Sequence, residues 1–103
     1  MVYVRHLLFD NFNVRHLKKH DITIREVIAV CEGKHFTLPS YGGRLLLIGA
    51  IKGRVLSVVV APKPKEGKNV YYPVSARPAS RKERKGYFQR NPKSKEVKQN
   101  EPK

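Results

Sequence analysis

Two apolar runs, Arg44 to Ile51 and Arg54 to Ala61, are separated only by Lys52-Gly53. Two residues suffice to reverse a chain between paired strands, and a glycine in the pair supplies the positive φ that such a turn needs, so this stretch is read as a tight β-hairpin. Around it the chain continues as strands punctuated by turn residues. His35 to Leu38 is expected as a short strand closed by Pro39-Ser40-Tyr41-Gly42-Gly43, and Pro62 to Lys68 as a polar loop. Val70 to Ala76 is expected as a further strand. Pro73 lies inside it, and because proline cannot donate to a ladder its presence marks an edge or a bulge.

The remaining segments carry helix signals. Residues 2 to 9, Val-Tyr-Val-Arg-His-Leu-Leu-Phe, suit a first strand, after which Asp10 can cap a helix over Asn11 to His20 with Val14 and Leu17 on one face. Thr23 and Glu26 have capping-box spacing, Ile22 and Val27 hold the staple positions, and Gly33 is placed to end the helix. Its apolar set of Ile24, Val27, Ile28, Val30 and Cys31 is broad enough to pack against a sheet. Ser80 and Glu83 form a second capping-box pair opening a basic helix from Arg81 to about Gln89, which Gly86 weakens by roughly 1 kcal/mol relative to alanine. Residues 91 to 103 hold too little apolar surface to fold and are expected as a disordered basic tail behind a single domain over 1–90.

Charge sets the partner class. Twenty-two Lys and Arg against eight Asp and Glu make a formal +14. Residues 89–103 account for five basic and two acidic side chains, which leaves seventeen and six, a net +11, in residues 1–88. The excess belongs to the domain, where it generates self-repulsion that an anionic partner would offset. Membrane is disfavoured, since no stretch approaches the roughly 20 apolar residues of a spanning helix. The N-terminus lacks the layout of a signal peptide, and the lone Cys31 cannot form an internal disulfide, so a cytoplasmic location is expected. Nucleic acid is the favoured polyanion, RNA above all.

The chain has no phosphate-binding Gly-rich loop ending in Lys and Ser/Thr, no Cys-x-x-Cys pair, no Gly-x-Ser-x-Gly elbow and no paired carboxylates. His16 and His20 are four apart, but spacing offers no third metal ligand, so neither metal nor cofactor is implied. The notable constellation is Ser75-Ala76-Arg77-Pro78-Ala79-Ser80-Arg81-Lys82-Glu83-Arg84-Lys85, where a strand end feeds a capped helix. Arg77, Arg81 and Arg84 would lie along one side if the turn is near-helical, with Tyr87 three residues further on. Guanidinium forks suit phosphate oxygens, and Tyr3, Tyr41, Tyr71 and Tyr72 add candidate stacking surfaces for single-stranded RNA. A solvated basic helix whose arginine stems cover a sheet edge would carry the same residues.

This order of segments resembles the BrnT-type toxins of the RelE-like ribonuclease superfamily of bacterial toxin-antitoxin systems. The resemblance spans roughly residues 2–88 and rests on Lys19-His20-Asp21-Ile22, the capped second helix, Arg44-Leu-Leu-Leu-Ile-Gly49, Gly53-Arg54-Val-Leu-Ser-Val-Val-Val60 and, most strongly, Ser75 to Arg84. It implies an α+β domain with two N-terminal helices packed on an antiparallel sheet, followed by a C-terminal basic helix. It also implies metal-independent cleavage of RNA by 2′-hydroxyl attack, blocking translation until a cognate antitoxin protein occupies the toxin, with the ribosome as a further partner. On that basis Arg77 would stabilise the phosphorane charge and His20 or Tyr87 would transfer protons. Arg44, Arg54, Arg81, Lys82, Arg84 and Lys85 would hold the RNA backbone. The chain departs from the family at Asp21, where many relatives have glycine, and at Phe9-Asp10, which lacks the tryptophan often found before the aspartate. A non-catalytic RNA-binding or ribosome-associated module of the same fold is the alternative, and a third reading gives the basic surface to an acidic antitoxin.

Overall fold

In the computed structural model, which describes residues 2–90, Ile51 pairs with Arg54. Lys52 and Gly53 turn the chain with φ of 50° and 79°, the two positive angles of a type I′ turn. The flanking strands, β3 (Leu45–Ile51) and β4 (Arg54–Pro62), join β1 (His6–Leu7), β2 (Phe36–Pro39) and β5 (Val70–Pro78) in one sheet of order β1-β5-β4-β3-β2. Strands β2 to β5 are antiparallel, but β1 runs parallel to β5. The sheet is therefore mixed, which corrects the expectation of a purely antiparallel one. Three helices, α1 (Asn11–Lys18), α2 (Ile24–Glu32) and α3 (Arg81–Arg90), complete the described α+β fold.

The first strand is shorter than the residues 2–9 expected for it. Val4 and Leu7 are buried while Arg5 and His6 are exposed, a spacing of three that breaks the two-residue alternation of a strand. Only His6 and Leu7 remain in register with β5, on Val70 and Tyr71. Pro73 sits where β5 slips register against Val59 and Val60 of β4, so its missing N–H falls at a bulge.

Helix α1 also stops early, at Lys18. Ile22 N donates to Leu17 O at 3.2 Å and Asp21 N to Lys18 O at 3.2 Å, with Asp21 at φ 55°. This is a Schellman closure with its left-handed residue at Asp21, the position that glycine fits best, and it moves Lys19 and His20 into a turn. At the other end Asp10 caps α1 through Asn13, whose side chain also donates to Leu8 O at 2.9 Å and Pro73 O at 3.0 Å. The Thr23–Glu26 box on α2 forms as its spacing indicates.

Strand alternation then sorts the core. Leu47, Leu56, Val58, Val60 and Ala76 meet Leu17, Val27, Val30 and Cys31 of α1 and α2 on one face. Ile48 and Val55 meet Ala79 and Tyr87 on the other, with Phe36, Leu46 and Phe88 packed against them. At Ile48 and Val55 the α3 side is covered as Leu47, Leu56 and Val58 are covered on the other, which explains why these strands are apolar at consecutive positions there. The layers run α1/α2, sheet, α3. Among the described residues no helix is long and apolar enough to cross a membrane. The tail expected over 91–103 lies outside the described residues.

Candidate nucleic-acid interface

The α3 side of the sheet is only partly covered. Register aligns its side chains in rows: Ile48–Ser57–Arg77, then Leu46–Val59–Ser75, then Ala61–Tyr72 with Arg44 in line just before β3. Helix α3 leaves Ala79 above the first row and packs Tyr87 against Phe36 of edge strand β2, ring centroids 6.2 Å apart. Val59, Ser75 and Tyr72 stay partly exposed beside it. The result is an open strip of sheet flanked by a basic helix, with Arg77 at one end and Arg44 at the other, about 13 Å apart along the strands at ~3.3 Å per residue.

Arg77 does not stand alone. Its Nη1 donates to Glu83 Oε1 at 2.7 Å and its Nη2 to Oε2 at 2.9 Å, a bidentate charge-assisted pair. Glu83 Oε1 also accepts from Ser57 Oγ at 2.9 Å and from Ser80 N at 2.8 Å, while Glu83 N donates to Ser80 Oγ. The capping box of α3 and the anchor of Arg77 are therefore the same carboxylate. The Arg77 hydrogen bonds, followed by those from Ser80 and Ser57, hold the Glu83 carboxyl down to about 2 against the opposing effect of burial. The same pair raises Arg77 above its usual value.

The sequence-derived candidates separate in space. Arg77 is on the sheet face with its charge matched by Glu83, so the three arginines do not form one stripe. Arg81, Lys82 and Lys85 project into solvent from α3. Arg84 turns back, its Nη1 donating to Ala79 O at 3.0 Å. Arg54 is tied to the far layer, its Nη2 2.8 Å from Glu26 Oε2 and 3.2 Å from Asp21 O. His20 is exposed in the α1–α2 turn, in the layer across the sheet from α3. Tyr87 is 5% exposed and packs between Phe36 and Phe88, seating α3. Arg77, His20 and Tyr87 are not brought together.

Other pairings emerge only in three dimensions. Arg44 lies over the Tyr41 ring at 4.8 Å and Lys63 over Tyr72 at 5.5 Å, both cation–π contacts. Ser57 faces Glu83 because strand alternation turns it to the α3 side, a placement that a serine inside an apolar run does not announce. Compared with known proteins, the chain matches no family model, no curated protein and no solved structure.

Proposed function

We propose that the chain is the toxin component of a type II toxin-antitoxin system, a RelE-like, BrnT-type endoribonuclease that works without metal and inhibits translation in the cytoplasm. One observation carries it: Arg77, at the junction of β5 and the capped α3, is braced by Glu83 and Ser57 on an open sheet face. Arg81, Lys82 and Lys85 stand on the adjoining helix and Arg44 at the far end of the strip, and none of them makes an ion pair with the described carboxylates.

In the chemistry proposed, the RNA 2′-oxygen gives up its proton and attacks the adjacent phosphorus. The 5′-oxygen of the next nucleotide leaves with a proton, and a cyclic phosphate remains. Negative charge builds on the phosphorane oxygens, where a guanidinium held rigid by a carboxylate costs little reorganisation. RNA is the substrate, a cognate antitoxin protein the inhibitor, and the ribosome a further partner.

A second reading, an RNA-binding module that does not cleave, is favoured by the separation of His20 and Tyr87 from Arg77. Incubating purified protein with RNA in EDTA separates the two. The toxin reading expects cleavage and growth inhibition that Arg77→Ala removes. Intact RNA at high protein concentration, with growth inhibition untouched by Arg77→Ala, refutes it. Salt-sensitive binding without cleavage supports the second reading.

A further inference from the structure

The strip of sheet beside α3 ends in two aromatic–cation pairs that the chemistry above does not use. Tyr41 is 68% exposed, in the turn Tyr41–Gly43 between β2 and β3. Gly42 has φ 63°, and a Cβ built there would come 2.8 Å from Arg44 Nη1. The positive φ favours glycine at 42, and the turn brings its backbone close beside the Arg44 guanidinium. Among the described residues Arg44 Nε is buried with no hydrogen-bond partner, and neither ion pair includes Arg44. Among them, packing on Tyr41 and not an anion holds this cation in place.

Tyr72 and Lys63 repeat the arrangement across the sheet. Register with Ala61 sets Tyr72 on the same face as Val59 and Ser75, and its hydroxyl donates at 2.9 Å to Asp10, the N-cap of α1. Arg44 and Tyr72 are separated by β4, two strand spacings or about 10 Å. Tyr41 is largely in water and Tyr72 partly exposed; a tyrosine ring open to solvent beside a cation suits an unpaired nucleobase and its phosphate, whereas bases in a duplex stay stacked on each other and cannot reach such a ring.

We infer that Tyr41 with Arg44, and Tyr72 with Lys63, form a base-stacking subsite that receives unpaired nucleotides of a single-stranded RNA whose backbone passes Arg77. The subsite rests on the assignment of this face to RNA. Tyr41 and Tyr72 contribute ring faces, and Arg44 and Lys63 meet the flanking phosphates.

The test uses a 12-nucleotide 2′-O-methyl RNA carrying 2-aminopurine, which lacks the attacking hydroxyl, compared with the same strand in a duplex. The single strand should bind at least about tenfold tighter than the duplex, with 2-aminopurine emission quenched. Tyr41→Ala should weaken binding about tenfold, the order of one lost base stack, with the salt slope unchanged, and Tyr41→Phe should bind as the wild type does. Arg44→Ala should lower the salt slope by about 0.7, one phosphate contact to a single strand. Equal binding of single strand and duplex, or Tyr41→Ala at wild-type affinity, overturns the subsite. So does no binding of either form. Cleavage of RNA in EDTA reports on the ribonuclease proposal separately, so the two can fail independently.

Discussion

Replacing Glu83 by glutamine removes one charge while retaining the shape of the hub that joins β4, β5 and α3. Glutamine can still accept from Ser80 N and Ser57 Oγ through its amide oxygen, as a capping box allows; it loses the charge opposite Arg77. The carboxyl is displaced from 4.5 to about 2, which corresponds to roughly 3 kcal/mol if expressed wholly as folding free energy. The Glu83 side chain is 16% exposed but that of Arg77 is 44% exposed, and solvent screening of the arginine reduces the expected cost to about 1–2 kcal/mol. Because the folded value is depressed, this stability is fully present above pH 4.5 and is lost as pH falls toward 2. The gap between wild type and Glu83→Gln should therefore shrink by roughly half near pH 3. Asp10 and Glu26 are also depressed, chiefly by the backbone hydrogen bonds of Asn13 and Thr23, but they are common to both proteins and cancel in the difference. Urea unfolding followed by far-UV circular dichroism at pH 7, 5 and 3 measures it. A gap that is absent at pH 7, or equally large at pH 3, refutes the assignment of this stability to the Arg77–Glu83 charge pair.

Substitutions at three further positions have outcomes that follow from the geometry. Asp21→Gly should stabilise by roughly 0.5–1 kcal/mol, raising the thermal midpoint by a few degrees, because it relieves the φ of 55° and removes a negative charge from a helix C-terminus. Asp21→Asn, which removes the charge and which left-handed caps also accept, should recover part of that gain. Asn13→Ala should cost about 2–3 kcal/mol in denaturant unfolding, since Asp10 N, Leu8 O and Pro73 O all lose a partner at a side chain 1% exposed. Gly49→Ala should destabilise by about 1–3 kcal/mol by the same assay, its Cβ meeting Lys34 O at 2.9 Å and Val30 Cγ1 at 3.1 Å.

Several of these elements are legible as local chemistry. The Lys52-Gly53 turn, the Thr23–Glu26 and Ser80–Glu83 boxes and the Pro73 irregularity each depend on residues within a few positions of one another, so spacing alone reveals them. The end of α1 is less legible. Asp21 is an unusual residue for a left-handed cap, and the turn there depends on Ile22 finding Leu17 in the core. The role of Asn13 is not legible in the sequence because its acceptors, Leu8 O nearby in the chain and Pro73 O in a distant strand, meet only when α1 lies across β5.

The basic constellation divides the same way. The sequence by itself determined that a strand ending in Arg77 enters a capped basic helix, and that the excess positive charge lies in the domain. It could not determine where the charges point. A spacing of four and three implies one stripe only if all three arginines are helical, yet Arg77 is in β5 and its direction follows the pleat of the sheet. Tertiary structure alone set Ser57 and Glu83 around it, buried Tyr87 under α3, sent Arg54 to Glu26 and left His20 across the sheet. The reason is physical: hydrogen bonds within a cap or turn are decided by neighbours in the chain, whereas a long side chain takes the partner that register and layer packing bring within reach.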